Sequence, residues 1–140
     1  MTTARPQPVP DVTSAPYWSA AAEHRLVMAR CRACEMFALP PDSVCPHCGS
    51  TAPDFEFVEV SGSGTIRSWT VARQSFLAGF TDLLPMVLVD VELVEQPELR
   101  MIGRLLDGDA DRLRIGVAVV VAFEDLAPGI SVPAFELVDD

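Results

Sequence analysis

Apolar and polar positions alternate along the chain in short runs, with glycine- or proline-bearing turns between them. Valines alternate with Asp90 and Glu92 through the second half of residues 85–94 (PMVLVDVELV). That period of two predicts a half-buried strand. Similar runs predict strands over 65–73, 98–106, 117–123 and 132–138, punctuated by turns at 61–64, 107–109 and 127–129. Residues 109–113 suit one helical turn. Five strands with that turn between the third and fourth match the plan of an OB fold, a small closed Greek-key barrel.

The first 60 residues read differently. Residues 16–24 (PYWSAAAEH) predict a short helix, because alanine favours helix and Pro16 sits in a tolerated first-turn position. Residues 26–28 then read as a strand leading to the first cysteine. His24 falls where that helix must stop, and there the expected role is a left-handed capping position rather than chemistry. The expected organisation is a flexible, proline-rich lead over 1–15, a helix and a cysteine-bearing ribbon over 16–60, and an OB-fold domain over 61–140. The fold class is mainly β.

All four cysteines fall within one stretch, CRACEMFALPPDSVCPHC, with the spacing C-x2-C-x10-C-x2-C. Two residues between ligands let a tight turn aim both thiolates at one ion. Cys31, Cys34, Cys45 and Cys48 therefore form a candidate closed tetrahedral site, which leaves no position for a reacting water. A single structural zinc ion is expected, with iron or a pair of disulfides as alternatives. Gly49 follows the second pair and eases its turn, whereas Glu35 holds the equivalent place after the first. His47, inside the second turn, is redundant beside four thiols.

Composition changes the functional picture. The 140 residues carry 20 acids against 10 basic residues, all arginine, for a formal charge of −10. From residue 90 onward acids outnumber arginines about three to one. An OB fold suggests nucleic acid as a partner, but strand-binding barrels use a basic groove with aromatic platforms. This acidic barrel, with aromatics at 7% of the chain, would repel a phosphate backbone. Nucleic-acid binding is the alternative reading, and charge argues against it. No nucleophile elbow, phosphate loop or metalloprotease motif is present. The N-terminus has no apolar core of a signal peptide, and the longest apolar run, 116–123, is too short for a membrane span of about 20 residues. The expectation is a cytoplasmic protein with no membrane association.

Pro16-Tyr-Trp18, Arg25-Leu-Val27, Cys45-Pro-His-Cys-Gly-Ser50, Ser61-Gly-Ser-Gly-Thr65, Ser68-Trp-Thr-Val71, Arg114-Ile-Gly116 and Val121-Ala-Phe-Glu-Asp125 together resemble one family. It is the acyl-CoA-associated family once called domain of unknown function 35, a rubredoxin-like zinc ribbon followed by an OB fold. His24 and Glu35 depart from it, standing where the family usually has glycine. The resemblance implies a non-catalytic accessory subunit of a thiolase-superfamily enzyme acting on acyl-CoA thioesters. The partner implied is a thiolase, an acyltransferase or a steroid side-chain retro-aldolase of the lipid-transfer-protein type, with acyl-CoA at the shared interface.

Two sets of residues could serve that role. The segment 74–84 carries Phe76, Leu77, Phe80, Leu83 and Leu84 where loops are normally polar. They either fold back as core or form an apolar docking patch, with Phe76, Leu77 and Phe80 as the candidate partner-binding residues. Arg67 and Arg73 could meet a CoA phosphate. Trp69, mid-strand, is expected in the core.

Overall fold

The computed structural model describes residues 4–138. Helix α1 (Ala15–Ala22) is followed by strands β1 (Val27–Arg30), β2 (Phe37–Ala38) and β3 (Glu56–Glu59). Then come β4 (Ser63–Ala72), β5 (Met86–Leu93), β6 (Arg100–Arg104), β7 (Ala118–Ala127) and β8 (Ile130–Leu137). Single 3-10 turns lie at Thr81–Leu83 and Ala110–Arg112.

Helix α1 starts from a reciprocal turn in which Ser14 N–H donates to Asp11 Oδ1 at 2.7 Å and Asp11 N–H donates to Ser14 Oγ at 3.1 Å. It stops two residues earlier than the sequence predicts. His24 takes a φ of 58°. With that reversal, His24 N–H reaches the Ala21 carbonyl and Arg25 N–H the Ala20 carbonyl, each at 2.9 Å. These are the two bonds of a Schellman cap, so His24 does the conformational work usually left to glycine.

Two antiparallel sheets follow, a small one ordered β2-β1-β3 and a larger one ordered β6-β5-β4-β7-β8. In β5 the alternation works as expected: Val87, Val89, Val91 and Leu93 are buried, while Leu88, Asp90 and Glu92 are only partly so. Leu26 and Met28, from the ribbon half, join Ile66, Val89, Leu93, Leu105 and Phe135 in one buried cluster. Burying each such side chain contributes about 1.5–3 kcal/mol.

Two expectations need correction. The barrel is not closed by a continuous ladder. Edge strands β6 and β8 meet at one parallel bridge, Leu105–Phe135, where Leu106 N–H donates to the Phe135 carbonyl at 2.9 Å. Phe135 is fully buried against β6, and a Cβ on Gly103 would come within 2.9 Å of its ring. Helix α1 packs along β8. Trp69 is not core either; it is 39% exposed. Strand β4 pairs with β7 over Ser63–Thr65 and, through Ile66, with Gly116 and Val117 just before it; from Arg67 onward its ladder partner is β5 alone.

Candidate functional site

The two cysteine turns are built alike. Glu35 N–H donates to the Cys31 carbonyl at 2.7 Å, and Gly49 N–H to the Cys45 carbonyl at 2.9 Å. Each turn closes from its other side, with Cys31 N–H on the Met36 carbonyl (2.9 Å) and Cys45 N–H on the Ser50 carbonyl (3.0 Å). Both need a left-handed residue, and Glu35 (φ 64°) and Gly49 (φ 74°) supply it. For glutamate that conformation costs about 1–2 kcal/mol, which the paired turn offsets.

The geometry brings all four cysteine sulfurs within 4.8 Å of one another. Cys31 Sγ lies 3.9 Å from Cys48 Sγ, and Cys34 Sγ lies 3.7 Å from Cys45 Sγ. A disulfide requires about 2.05 Å, so no bridge is formed. A tetrahedral ion with metal–sulfur bonds of about 2.3 Å puts its ligands about 3.8 Å apart. The residues present fit such an ion. Cys31 and Cys45 are buried and form the floor of the site, while Cys48 is exposed.

Backbone amides polarise the sulfurs before any cation does. The Cys48 amide is the chief cause, ahead of opposing burial, that lowers the Cys45 thiol to about 6. Cys34 moves the other way: the Met36 amide pulls it down, but burial and the neighbouring thiols together raise it to about 12. A divalent cation bound here would supply the charge that lets all four sulfurs ionise together.

His47 stays outside the ligand set. Its Nε2–H donates to the Phe37 carbonyl at 2.9 Å and ties the second turn to β2. That carbonyl, with the Phe37 N–H, also binds the side chain of Gln96, a buried residue that the sequence reading missed. Gln96 lies between β5 and β6, where a lone polar residue reads as part of a solvated turn.

The structure places the other candidate residues as follows. Phe76 is 97% and Leu77 63% exposed, in the connection between β4 and β5. Phe80 is half-buried, its ring 5.4 Å beneath the Arg5 guanidinium. Arg67 sits at a bulge in β4 and already binds Glu92 at 3.1 Å. Arg73 is exposed and has no ion-pair partner among the described residues. Arg73 follows the end of β4, six residues beyond Arg67 and on the order of 20 Å from it if the chain stays extended, so the two do not converge on a single phosphate.

Among the described residues, Ser131, Asp125 and His24 come together, but not as an activated nucleophile. Ser131 Oγ–H donates to Asp125 Oδ1 at 2.6 Å, and His24 Nε2 lies 2.7 Å from the same oxygen. Serine and histidine thus both meet the carboxylate, so the histidine is not placed to take the serine proton, and Asp125, its carboxyl lowered, is a weak base for it. These contacts lower the Asp125 carboxyl, the Ser131 hydrogen bond most. The His24 ring stacks on Phe123, with centroids 5.3 Å apart and planes within 9°. The cluster latches the end of α1 to the β7–β8 hairpin.

The arginines are largely spent on carboxylates. Arg5, Arg25, Arg30, Arg32, Arg67, Arg100 and Arg104 each have an acidic partner. This surface offers little to a nucleic-acid backbone. Among the described residues, no helix is long and apolar enough to cross a membrane.

Comparison with known proteins fits this geometry. Residues 18–54 match the family described as "ChsH2, rubredoxin-like zinc ribbon domain", and residues 57–124 match "ChsH2, C-terminal OB-fold domain". The chain is 35% identical over 131 residues to a protein of Thermomonospora curvata named "Probable enoyl-CoA hydratase alpha subunit". The match takes in 94% of this chain but only 39% of that relative. Among solved structures, one described as "Ltp2-ChsH2(DUF35) aldolase" superposes with a TM-score of 0.79 at 33% identity, covering 94% of this chain and 98% of the other. A DUF35 protein of unknown function from Sulfolobus solfataricus shares the fold alone, at 12% identity and a TM-score of 0.58, covering 91% of this chain and 86% of that one.

Proposed function

Because this chain belongs to the ChsH2 (DUF35) family of zinc-ribbon and OB-fold proteins, we propose that it is an accessory subunit of a thiolase-like aldolase acting on acyl-CoA thioesters. The observation that carries this reading is its end-to-end likeness to the DUF35 chain described in an Ltp2-ChsH2 aldolase. A second observation supports it: in the Ser131–Asp125–His24 cluster the histidine meets the carboxylate and not the serine, and the lowered Asp125 carboxyl is a weak base toward that hydroxyl. In this reading catalysis belongs to the partner. The reaction is retro-aldol cleavage of a β-hydroxyacyl-CoA, with a steroid side chain as the substrate class. A base on the partner takes the hydroxyl proton, the Cα–Cβ bond breaks as the β-carbon becomes a carbonyl, and the α-carbon leaves as the thioester enolate, which takes up a proton to give an acyl-CoA.

In this reading the ribbon head (16–60) holds one structural zinc ion through Cys31, Cys34, Cys45 and Cys48, and the barrel (61–140) docks the partner. Phe76 and Leu77, with the edge of Phe80, provide the apolar contact. The charge of −10 favours a partner face that is apolar at its centre and basic around it. Arg73, free of any carboxylate and next to the β4–β5 connection, is a guanidinium available to an acyl-CoA phosphate at the shared interface. The complex works in the cytoplasm. The hydratase name belongs to a relative of which this chain spans 39%, and no hydratase role is proposed for it.

Co-expression with a thiolase-like aldolase of the lipid-transfer-protein type tests the reading. One co-eluting complex is expected, with cleavage of a β-hydroxyacyl-CoA that neither chain performs alone. Separate elution, or turnover by this chain by itself, overturns it.

A further inference from the structure

The N-terminal lead does not trail from the molecule at residues 4 and 5. Arg5 Nη1 and Nη2 donate to the two carboxylate oxygens of Glu124 at 3.0 and 3.5 Å, in a pair whose side chains are only 21% and 12% exposed. The same guanidinium lies over the ring of Phe80. Between these contacts the backbone of Ala4 and Arg5 crosses Gly79. A Cβ at residue 79 would come within 2.6 Å of both the Ala4 carbonyl oxygen and Arg5 Cα. Gly79 is thus the seat on which the lead rests.

Gly79 and Phe80 lie in the connection that displays Phe76 and Leu77. Around its tip, the hydrogen bonds within this connection are the pair between Ser75 and Leu77 and those of the Thr81–Leu83 turn. Glu124, on β7, also accepts from Arg104 of β6. The lead, the connection and two strands therefore converge on one carboxylate. The hold is a modest one, because Arg5 Nε–H is buried with no partner, and an unmet buried donor offsets much of what an ion pair contributes.

We propose that residues 4–5 form a clamp that fixes the β4–β5 connection from outside and so sets how Phe76 and Leu77 are presented to the partner subunit. The presentation half rests on the accessory-subunit reading; the clamp itself does not. Arg5 acts here as a positioning residue. It shapes the docking surface without being the docking surface.

The test uses the full zinc-loaded chain, well below its melting temperature, with Arg5→Ala, Arg5→Lys and a form lacking residues 1–5. The readout is the initial rate of chymotrypsin cleavage after Phe76, Leu77 and Phe80, with cleavage after Tyr17 and Trp18 as the internal reference. Loop cleavage in Arg5→Ala and in the truncated chain is expected to rise about fivefold or more while the reference sites hold. Arg5→Lys should fall between, since an ammonium keeps the charge but loses the fork and the flat stack. Unchanged loop rates, or an equal rise at both sets of sites, overturn the clamp. Titration with the aldolase subunit then addresses presentation, with Arg5→Ala expected to bind about tenfold more weakly. If Arg5→Ala binds as the parent does although its loop opens, presentation falls. If the parent itself does not bind, the accessory reading falls and the clamp stands on the proteolysis.

Discussion

Gln96 and Phe37 exchange two hydrogen bonds: Phe37 N–H donates to Gln96 Oε1 at 2.8 Å, and Gln96 Nε2 donates to the Phe37 carbonyl at 3.0 Å. One side-chain amide thus pairs with a peptide group as a neighbouring strand would, and it joins the ribbon to the barrel across 59 residues of sequence. The amide is buried, so these bonds face no competition from water.

Gln96→Ala takes the side-chain acceptor from the Phe37 N–H and leaves the Phe37 carbonyl with His47 alone. A loss of about 1–3 kcal/mol is expected, measurable by denaturant or thermal unfolding. The metal content should hold, because no ligand is touched. Loss of bound metal with unchanged stability would reverse the assigned order of these contacts.

Cys45→Ser replaces a buried sulfur of the four-thiol site with a hydroxyl that binds a divalent ion far less well. Mass spectrometry under native conditions should show the purified chain losing its ion, and the melting temperature should fall with it. Full metal occupancy in this variant would disprove the four-thiolate assignment. His47→Ala, by contrast, should keep the ion.

The Glu124 carboxyl gives a pH signature. Burial pushes it up, but hydrogen bonds from Arg104 and Arg5 and their charges outweigh burial and hold it below the usual range. A folded value below the unfolded one, about 4.3, contributes stability that is present above the unfolded value. That contribution disappears as pH falls through the folded value. The stability gap between the parent and Glu124→Gln should therefore be largest near neutrality and shrink below about pH 4. A gap that widens in acid contradicts this sign.

Phe76→Asp separates docking from folding. The side chain is 97% exposed, so its melting temperature should stay within about 2 °C of the parent. Association with the aldolase subunit, read by calorimetry, should weaken about tenfold or more. Phe80→Asp should lower both, since it also removes the ring beneath Arg5. A large thermal loss in Phe76→Asp with unaltered binding would take the docking role away from this loop.

Much of this architecture was legible because its causes are local. Alternating valines specify β5, paired cysteines specify the turns, and the missing glycines at His24 and Glu35 correctly mark left-handed positions. The misreadings all concern long-range partners. Trp69 has the composition of a core residue, but its exposure depends on where β7 stops pairing. Closure depends on how the Phe135 ring of β8 sits against Gly103 of β6. Gln96 is an ordinary polar residue in sequence and a structural bolt only in three dimensions. Arg5 likewise gains its meaning from Glu124, 119 residues away.

Leu26 and Met28 lead into the cysteine knot yet lie in the same buried cluster as Ile66 and Leu93 of the large sheet. The head is therefore not a cassette. Transplanted alone, it would carry a bare greasy seam onto its new host. A chelator that strips the sulfurs in the intact molecule should register as a single melting event for the whole chain, head and barrel together.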